Sequence, residues 1–151
     1  AAHLGVPVYA FFLSSALCHE TGPYGEGHHI FQAIQPCSPC LESAPCPHNV
    51  RCLTPFLDRT FLRALSQLAQ NHTPTTLPKG LQYLRSTLDC LGCRFDVLGG
   101  DDPHLQKRAF SRAFVEQFLG YSTDSPYVEE KSLLAAYIQD RDWMLPRERY
   151  V

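Results

Sequence analysis

The residues of this 151-residue chain best suited to chemistry are its seven cysteines, four of which fall in one short stretch. Their spacing is Cys37-x2-Cys40-x5-Cys46-x5-Cys52. Zinc takes soft ligands at tetrahedral corners, and a C-x2-C turn supplies two of them from one side. The stretch is too rich in proline for regular structure over its length, so a metal staple would give it the order a core cannot. His48 is the substitute ligand if one thiol is not used. Four cysteine ligands leave no open position, so such a site would be structural. Disulfides and free thiols remain alternatives for the same residues. A second C-x2-C, Cys90 and Cys93, could complete a site with Cys37 and Cys40, or Cys90 could be a small core residue.

Other groupings point elsewhere. Cys18-His19-Glu20 followed by Pro36-Cys37-Ser38-Pro39-Cys40 imitates the zinc deaminase signature. That chemistry needs its Glu at a helix start, whereas Glu20 runs directly into Thr21-Gly22-Pro23-Tyr24-Gly25. His48-Asn49 has no second histidine or strand context to make a nuclease. His28 and His29 are adjacent at a strand start and point to opposite faces, so one is expected buried and one exposed.

Ala1–Gly5 resembles a last helical turn closed by glycine. Val6–Leu13 reads as a strand apolar on both faces, as in a buried parallel sheet. A glycine-rich loop spans Cys18–Gly27, and a short strand covers His29–Ile34. Thr54-Pro55 reads as a helix start, with Phe61, Leu62, Leu65, Leu68 and Ala69 as its apolar stripe. After a linker at Asn71–Pro78, Leu81, Leu84, Leu88 and Leu91 suggest a second helix. Gly99-Gly100 breaks the chain. Asp102-Pro103 starts a third helix, with Phe110, Ala113, Phe114 and Phe118 inward and Gly120 as its stop. Ser125-Pro126 starts a fourth, with Glu129 and Glu130 in its first turn. The tail, Trp143–Val151, is polar.

Charged residues make up 19% and hydrophobic ones 44%, a globular balance. The net charge of −2, with Lys and Arg scattered, gives no reason to expect nucleic acid as a partner. The longest apolar candidate, Val6–Leu17, is shorter than the roughly 18 residues that suggest a membrane span. The clustered, odd-numbered cysteines fit a reduced, cytoplasmic setting. The opening inside a helix, before a strand, fits a piece of a longer protein that enters partway through a βαβ series.

Three segments in order carry a resemblance. They are Ala1-Ala2-His3-Leu4-Gly5-Val6-Pro7-Val8; then Thr21-Gly22-Pro23-Tyr24-Gly25 with Gly27-His28; then Cys37-Ser38-Pro39-Cys40 with Cys46-Pro47-His48-Asn49-Val50-Arg51-Cys52. Together they resemble the end of the catalytic region of glycosyltransferase family 9, the bacterial ADP-heptose:lipopolysaccharide heptosyltransferases, over residues 1–72. The resemblance implies an α/β fold, part of the C-terminal Rossmann-like domain of a GT-B glycosyltransferase, followed by a helical region at 73–151. It implies metal-independent, inverting transfer of a sugar from a nucleotide-sugar donor, ADP-heptose by family default, to a lipopolysaccharide-type acceptor. The base would be a carboxylate of an N-terminal domain, so no catalytic residue is assigned in this chain. Thr21, Gly22, Pro23, Tyr24 and Gly25 would lie near the donor's sugar and diphosphate, since backbone amides of a glycine loop suit an anion. A plain connection between strands is the alternative for that loop. Two departures stand out. The family's Asp/Ser-x-Gly-x-x-His stretch would precede Ala1, and Leu13-Ser14-Ser15-Ala16-Leu17-Cys18 replaces the family's G-P-T. The rival expectation is a non-enzymatic, zinc-stapled helical module for protein assembly.

Overall fold

The computed structural model describes residues 1–38, 40, 45–89, 91–103, 105–120 and 131. The chain divides into two compact units, Ala1–Asp101 and Asp102–Val151. The fold is mixed α/β, built on a four-stranded sheet of order β1-β2-β3-β4. The strands are β1 (Tyr9–Phe12), β2 (His29–Ala33), β3 (Leu81–Asp89) and β4 (Gly92–Gly99). β1 and β2 are parallel, with Tyr9 opposite His29 and Phe11 opposite Phe31. β2–β3 and β3–β4 are antiparallel.

The first turn forms as expected. A 3-10 segment, Ala2–Leu4, is closed by Gly5 at φ +71°, whose N–H donates to Ala2 O. Parallel strands need a crossover, and residues 13–28 supply it through a single helical turn, α1 (Cys18–Thr21). Glu20 therefore lies on a one-turn helix, where the sequence favoured a loop. β1 is also not buried on both faces. It is a sheet edge among the described residues, and Tyr9 and Phe11 are exposed while Phe12 is buried.

Period-two alternation sends the two sets of side chains to opposite faces of the sheet. On one face Phe12, Ile30, Leu84 and Phe95 pack with Cys18 of the crossover. On the other, Phe31, Leu81 and Tyr83 pack against Phe61 and Leu68 of α2 (Arg59–Ala69). Phe61 meets Phe31 and Phe56 edge to face, with centroids 5.1 and 5.2 Å apart. Such pairs add about 0.5–1.5 kcal/mol each beyond the area they bury.

Two helix expectations change. Thr54-Pro55 lies inside a 3-10 segment, Arg51–Leu57, and α2 begins later with Asp58 as its cap. Asp58 Oδ1 accepts from Thr60 N at 2.7 Å, satisfying an N–H that the helix leaves open. Ala64 is buried, whereas Leu62 and Ala69 of the expected stripe are exposed. The helix expected across Leu81–Leu91 is a β-hairpin. Leucines three and four apart mimic a helical face, but Leu81, Gln82, Tyr83 and Leu84 are all buried because β3 is a central strand. Asp89 Oδ1 accepts from Leu91 N at 2.8 Å, and Gly92 takes φ +110°, which turns the chain into β4.

In the second unit, α3 (Leu105–Phe118) ends near Gly120, which adopts φ +73°. Arg108 pairs with Asp102, and Arg112 Nε lies 2.7 Å from Glu116 Oε1, one turn away. Ala113 is buried, but Phe118 is exposed against the inward place expected for it. The fourth helix from Ser125-Pro126 and the tail Trp143–Val151 lie outside the described residues. No helix among the described residues is long and apolar enough to cross a membrane.

Candidate functional site

The crossover is held to the sheet by Gln32, a buried polar residue of β2. Its Nε2 donates to Leu13 O and Ala16 O, both at 3.2 Å, and its Oε1 accepts from Cys18 N at 3.0 Å. One side chain therefore bonds three backbone groups of the irregular loop, of which Leu13 O also accepts from Ala16 N at 3.3 Å. In the sequence Gln32 stands only as one more residue of a short strand. A lone Gln among apolar neighbours at a strand position was the available signal.

Beyond this anchor, α1 and the following loop form one wall of a cleft of about 320 Å³. Cys18, His19, Glu20, Gly22 and Tyr24 line it, and Leu91, Gly92, Cys93 and Phe95 of the hairpin face them. His19 meets the Phe95 ring edge to face at 5.6 Å. Gly22 is required by space: a Cβ there would lie 2.6 Å from Phe95 Cζ and 2.3 Å from Cys18 O. The Cys93 thiol points toward Pro23 O and Gly25 O, at 3.8 and 3.6 Å, and so ties the hairpin to the loop. Tyr24 is exposed at the rim.

Of the five residues expected at a donor site, Gly22 and Tyr24 line the cleft. Pro23 and Gly25 contribute carbonyls to the Cys93 contact. Thr21 ends α1, and its Oγ1 donates to Leu17 O at 3.5 Å. The arrangement offers an aromatic rim, an imidazole and a carboxylate around a partly polar space.

The two adjacent histidines differ in burial, but His29 is half-buried where the strand pattern expected it exposed. His28 is buried; its Nδ1 accepts from Val8 N at 3.4 Å, and its backbone N–H donates to Ser86 Oγ at 2.9 Å. His29 stacks on Tyr9, with centroids 4.7 Å apart, and its Nδ1 lies 2.8 Å from Tyr83 Oη. Desolvation, then the positive charge of Arg85, then His28 lower the His29 pKa. Burial raises the Tyr83 phenol.

The cysteine stretch folds partly over the carboxyl end of β1. Cys40 N donates to Ser14 O at 3.0 Å, and Ser38 Oγ donates to the same carbonyl at 3.4 Å. Cys46 Sγ accepts from Val50 N at 3.3 Å, Cys46 is exposed, and Cys52 is buried. Among the described residues, no three His, Cys, Asp or Glu side chains come together at a spacing that would hold a metal ion. Residues 41–44, within the stretch, and Cys90 lie outside the described residues.

Comparisons with known protein families, with curated proteins and with solved structures found no match for this chain.

Proposed function

We propose that this chain is a donor-facing part of a nucleotide-sugar-dependent glycosyltransferase of the GT-B, inverting kind, acting on a lipopolysaccharide-type acceptor, with a heptose as the transferred sugar. The observation that carries the reading is the cleft, because its wall contains Gly22 and Tyr24 of the Thr21–Gly25 segment on which the family resemblance rests. The parallel β1–β2 pair and its crossover are the kind of unit a Rossmann-like domain contributes. The cleft offers Tyr24 and Phe95 as apolar walls for a sugar or base, and Glu20 and His19 as hydrogen-bonding partners for hydroxyls. No residue of this chain is assigned as the base. That role belongs in this reading to a carboxylate on another domain, so the chain alone transfers nothing.

A transfer assay tests the proposal. A protein carrying this chain together with a base-bearing domain should move a sugar from ADP-heptose to a lipopolysaccharide core acceptor. Gly22→Ala should abolish transfer by filling the space against Phe95. Full transfer in that variant would remove the cleft from the account.

The structural zinc at Cys37, Cys40, Cys46 and Cys52 is a separate proposal. It is supported by the ligand spacing and by the N–H bond that Cys46 sulfur already accepts from Val50.

A further inference from the structure

Two adjacent histidines hold the amino end of the sheet's edge strand. β1 is four residues long and, among the described residues, has a neighbouring strand on one side only. β2 grips its start three times. His28 Nδ1 accepts from Val8 N at 3.4 Å. His29 N donates to Val8 O at 2.9 Å. The His29 imidazole stacks on the exposed Tyr9 ring, with centroids 4.7 Å apart and planes 17° from parallel. Tyr83 of β3 completes the grip from the other side: its ring lies at 11° to the imidazole, and its hydroxyl is 2.8 Å from His29 Nδ1. Tyr83 is 2% exposed, and its hydroxyl makes no other hydrogen bond among the described residues. The phenol therefore donates and Nδ1 accepts. Both imidazoles thus accept through Nδ1, which only the uncharged ring can do.

We propose that His28 and His29 form an acid-released clasp, whose protonation undocks Val8 and Tyr9 from the sheet while β2, β3 and β4 stay paired. The clasp is independent of the glycosyltransferase reading. A proton on His29 Nδ1 turns a second donor on the Tyr83 hydroxyl and leaves that buried O–H without an acceptor. The new charge also meets like charge, because Arg85 of β3 is the ladder partner of His29. Tyr9 of β1, Tyr83 of β3 and His28 are the other titratable groups facing the ring, and no carboxylate among the described residues pairs with it. Asp96, opposite Arg85, is already engaged by Arg94 and Thr87. Desolvation, then Arg85, then His28 hold the imidazole of the docked strand below its ordinary pKa. At His28, a proton on Nδ1 would set a donor against the Val8 N–H. The open clasp takes up a proton that the closed one refuses. Opening therefore rises about tenfold for each pH unit between the ordinary His29 value and the docked one.

Hydrogen exchange on the full isotope-labelled chain tests the clasp, read as protection factors so that the pH dependence of intrinsic exchange cancels, between about pH 8 and about pH 5. The His29 ring is titrated by NMR in the same samples. The expected result is that protection of the His29 amide, which bonds Val8 O, falls about tenfold per pH unit as the His29 ring titrates. The Tyr9 ring resonances should move over the same range toward their unstacked positions. Amides of α2 and of the β3–β4 ladder should keep their protection. A double variant, His28→Asn with His29→Phe, keeps an acceptor for Val8 N and a ring against Tyr9 but cannot titrate, so its His29→Phe amide should hold constant protection across the range. A parent whose His29 amide protection ignores the titration of the ring would overturn the clasp. So would a loss of protection equal in α2 and β1, which is global unfolding, or a folded double variant that keeps the slope. If the double variant does not fold, the comparison of the His29 amide with α2 in the parent decides alone.

Discussion

Replacing Gln32 by Leu should destabilise the first unit more than its conservative volume suggests. Gln32 is 3% exposed and makes three good hydrogen bonds to the crossover: two donated to Leu13 O and Ala16 O, and one accepted from Cys18 N. Each is worth about 1 kcal/mol net; Leu13 O keeps its bond from Ala16 N, while Ala16 O and the Cys18 amide lose the Gln32 bond. The gain from burying an apolar side chain offsets part of this, leaving a loss of about 2–3 kcal/mol. Gln32→Glu sharpens the argument. A carboxylate still accepts from Cys18 N but confronts two carbonyl oxygens. Its folded pKa should therefore rise above the unfolded value, so the variant recovers stability at low pH and loses it as pH rises through the carboxylate range. Urea denaturation at several pH values measures both effects, and hydrogen exchange at the Cys18 amide reports whether the loss is local to the crossover. A loss below about 0.5 kcal/mol in Gln32→Leu, within the range of an ordinary surface change, would refute the anchoring role. So would a pH-independent Gln32→Glu.

Three other outcomes follow from the same geometry. Gly22→Ala should cost about 1–3 kcal/mol, because its Cβ meets the Cys18 carbonyl as well as the flexible Phe95 ring; thermal unfolding checks it, and an unchanged midpoint contradicts the packing. His29 has a lowered pKa in the folded state, so the unfolded chain binds more protons just below the unfolded value. Stability should be fully present above that value and fall as pH drops through it toward the folded pKa, and His29→Phe should remove this slope; denaturation between neutral and mildly acid pH tests it. If the cysteine stretch binds zinc, protein purified under reducing conditions should carry one zinc per chain with four protected thiols by elemental mass spectrometry and thiol titration, whereas seven reactive thiols and no metal would end that proposal.

The legibility of this fold in its sequence depends on which interactions decide each element. The Gly5 stop, β2, the body of α2 and the separation of His28 from His29 rest on local preference or simple periodicity, and the residues display them openly. The β3–β4 hairpin does not. Its leucines fall at helical intervals, and the central position of β3 buries both faces at one end, which erases the alternation that marks a strand. The turn chemistry at Asp89–Gly92 and the alternation in Cys93-Arg94-Phe95-Asp96-Val97 were the contrary signals. The helix start at Asp58 is hidden because Thr54-Pro55 imitates a cap, and only packing makes that segment a 3-10 lead-in. The loop at Thr21–Gly25 was visible as glycine-rich, but its cleft was not. The opposite wall comes from Leu91–Phe95, roughly seventy residues away, in the segment read as a helix.

The Thr21–Gly25 loop and the hairpin facing it are proposed to form a nucleotide-sugar site. The most direct test is a titration of the isotope-labelled chain with ADP-heptose, following backbone amide resonances. Saturable shifts are expected at Gly22, Tyr24, Gly25, Gly92 and Cys93, with little change on α2, and competition by ADP. Shifts absent from these residues at saturating ligand, or spread evenly over the surface, would contradict it.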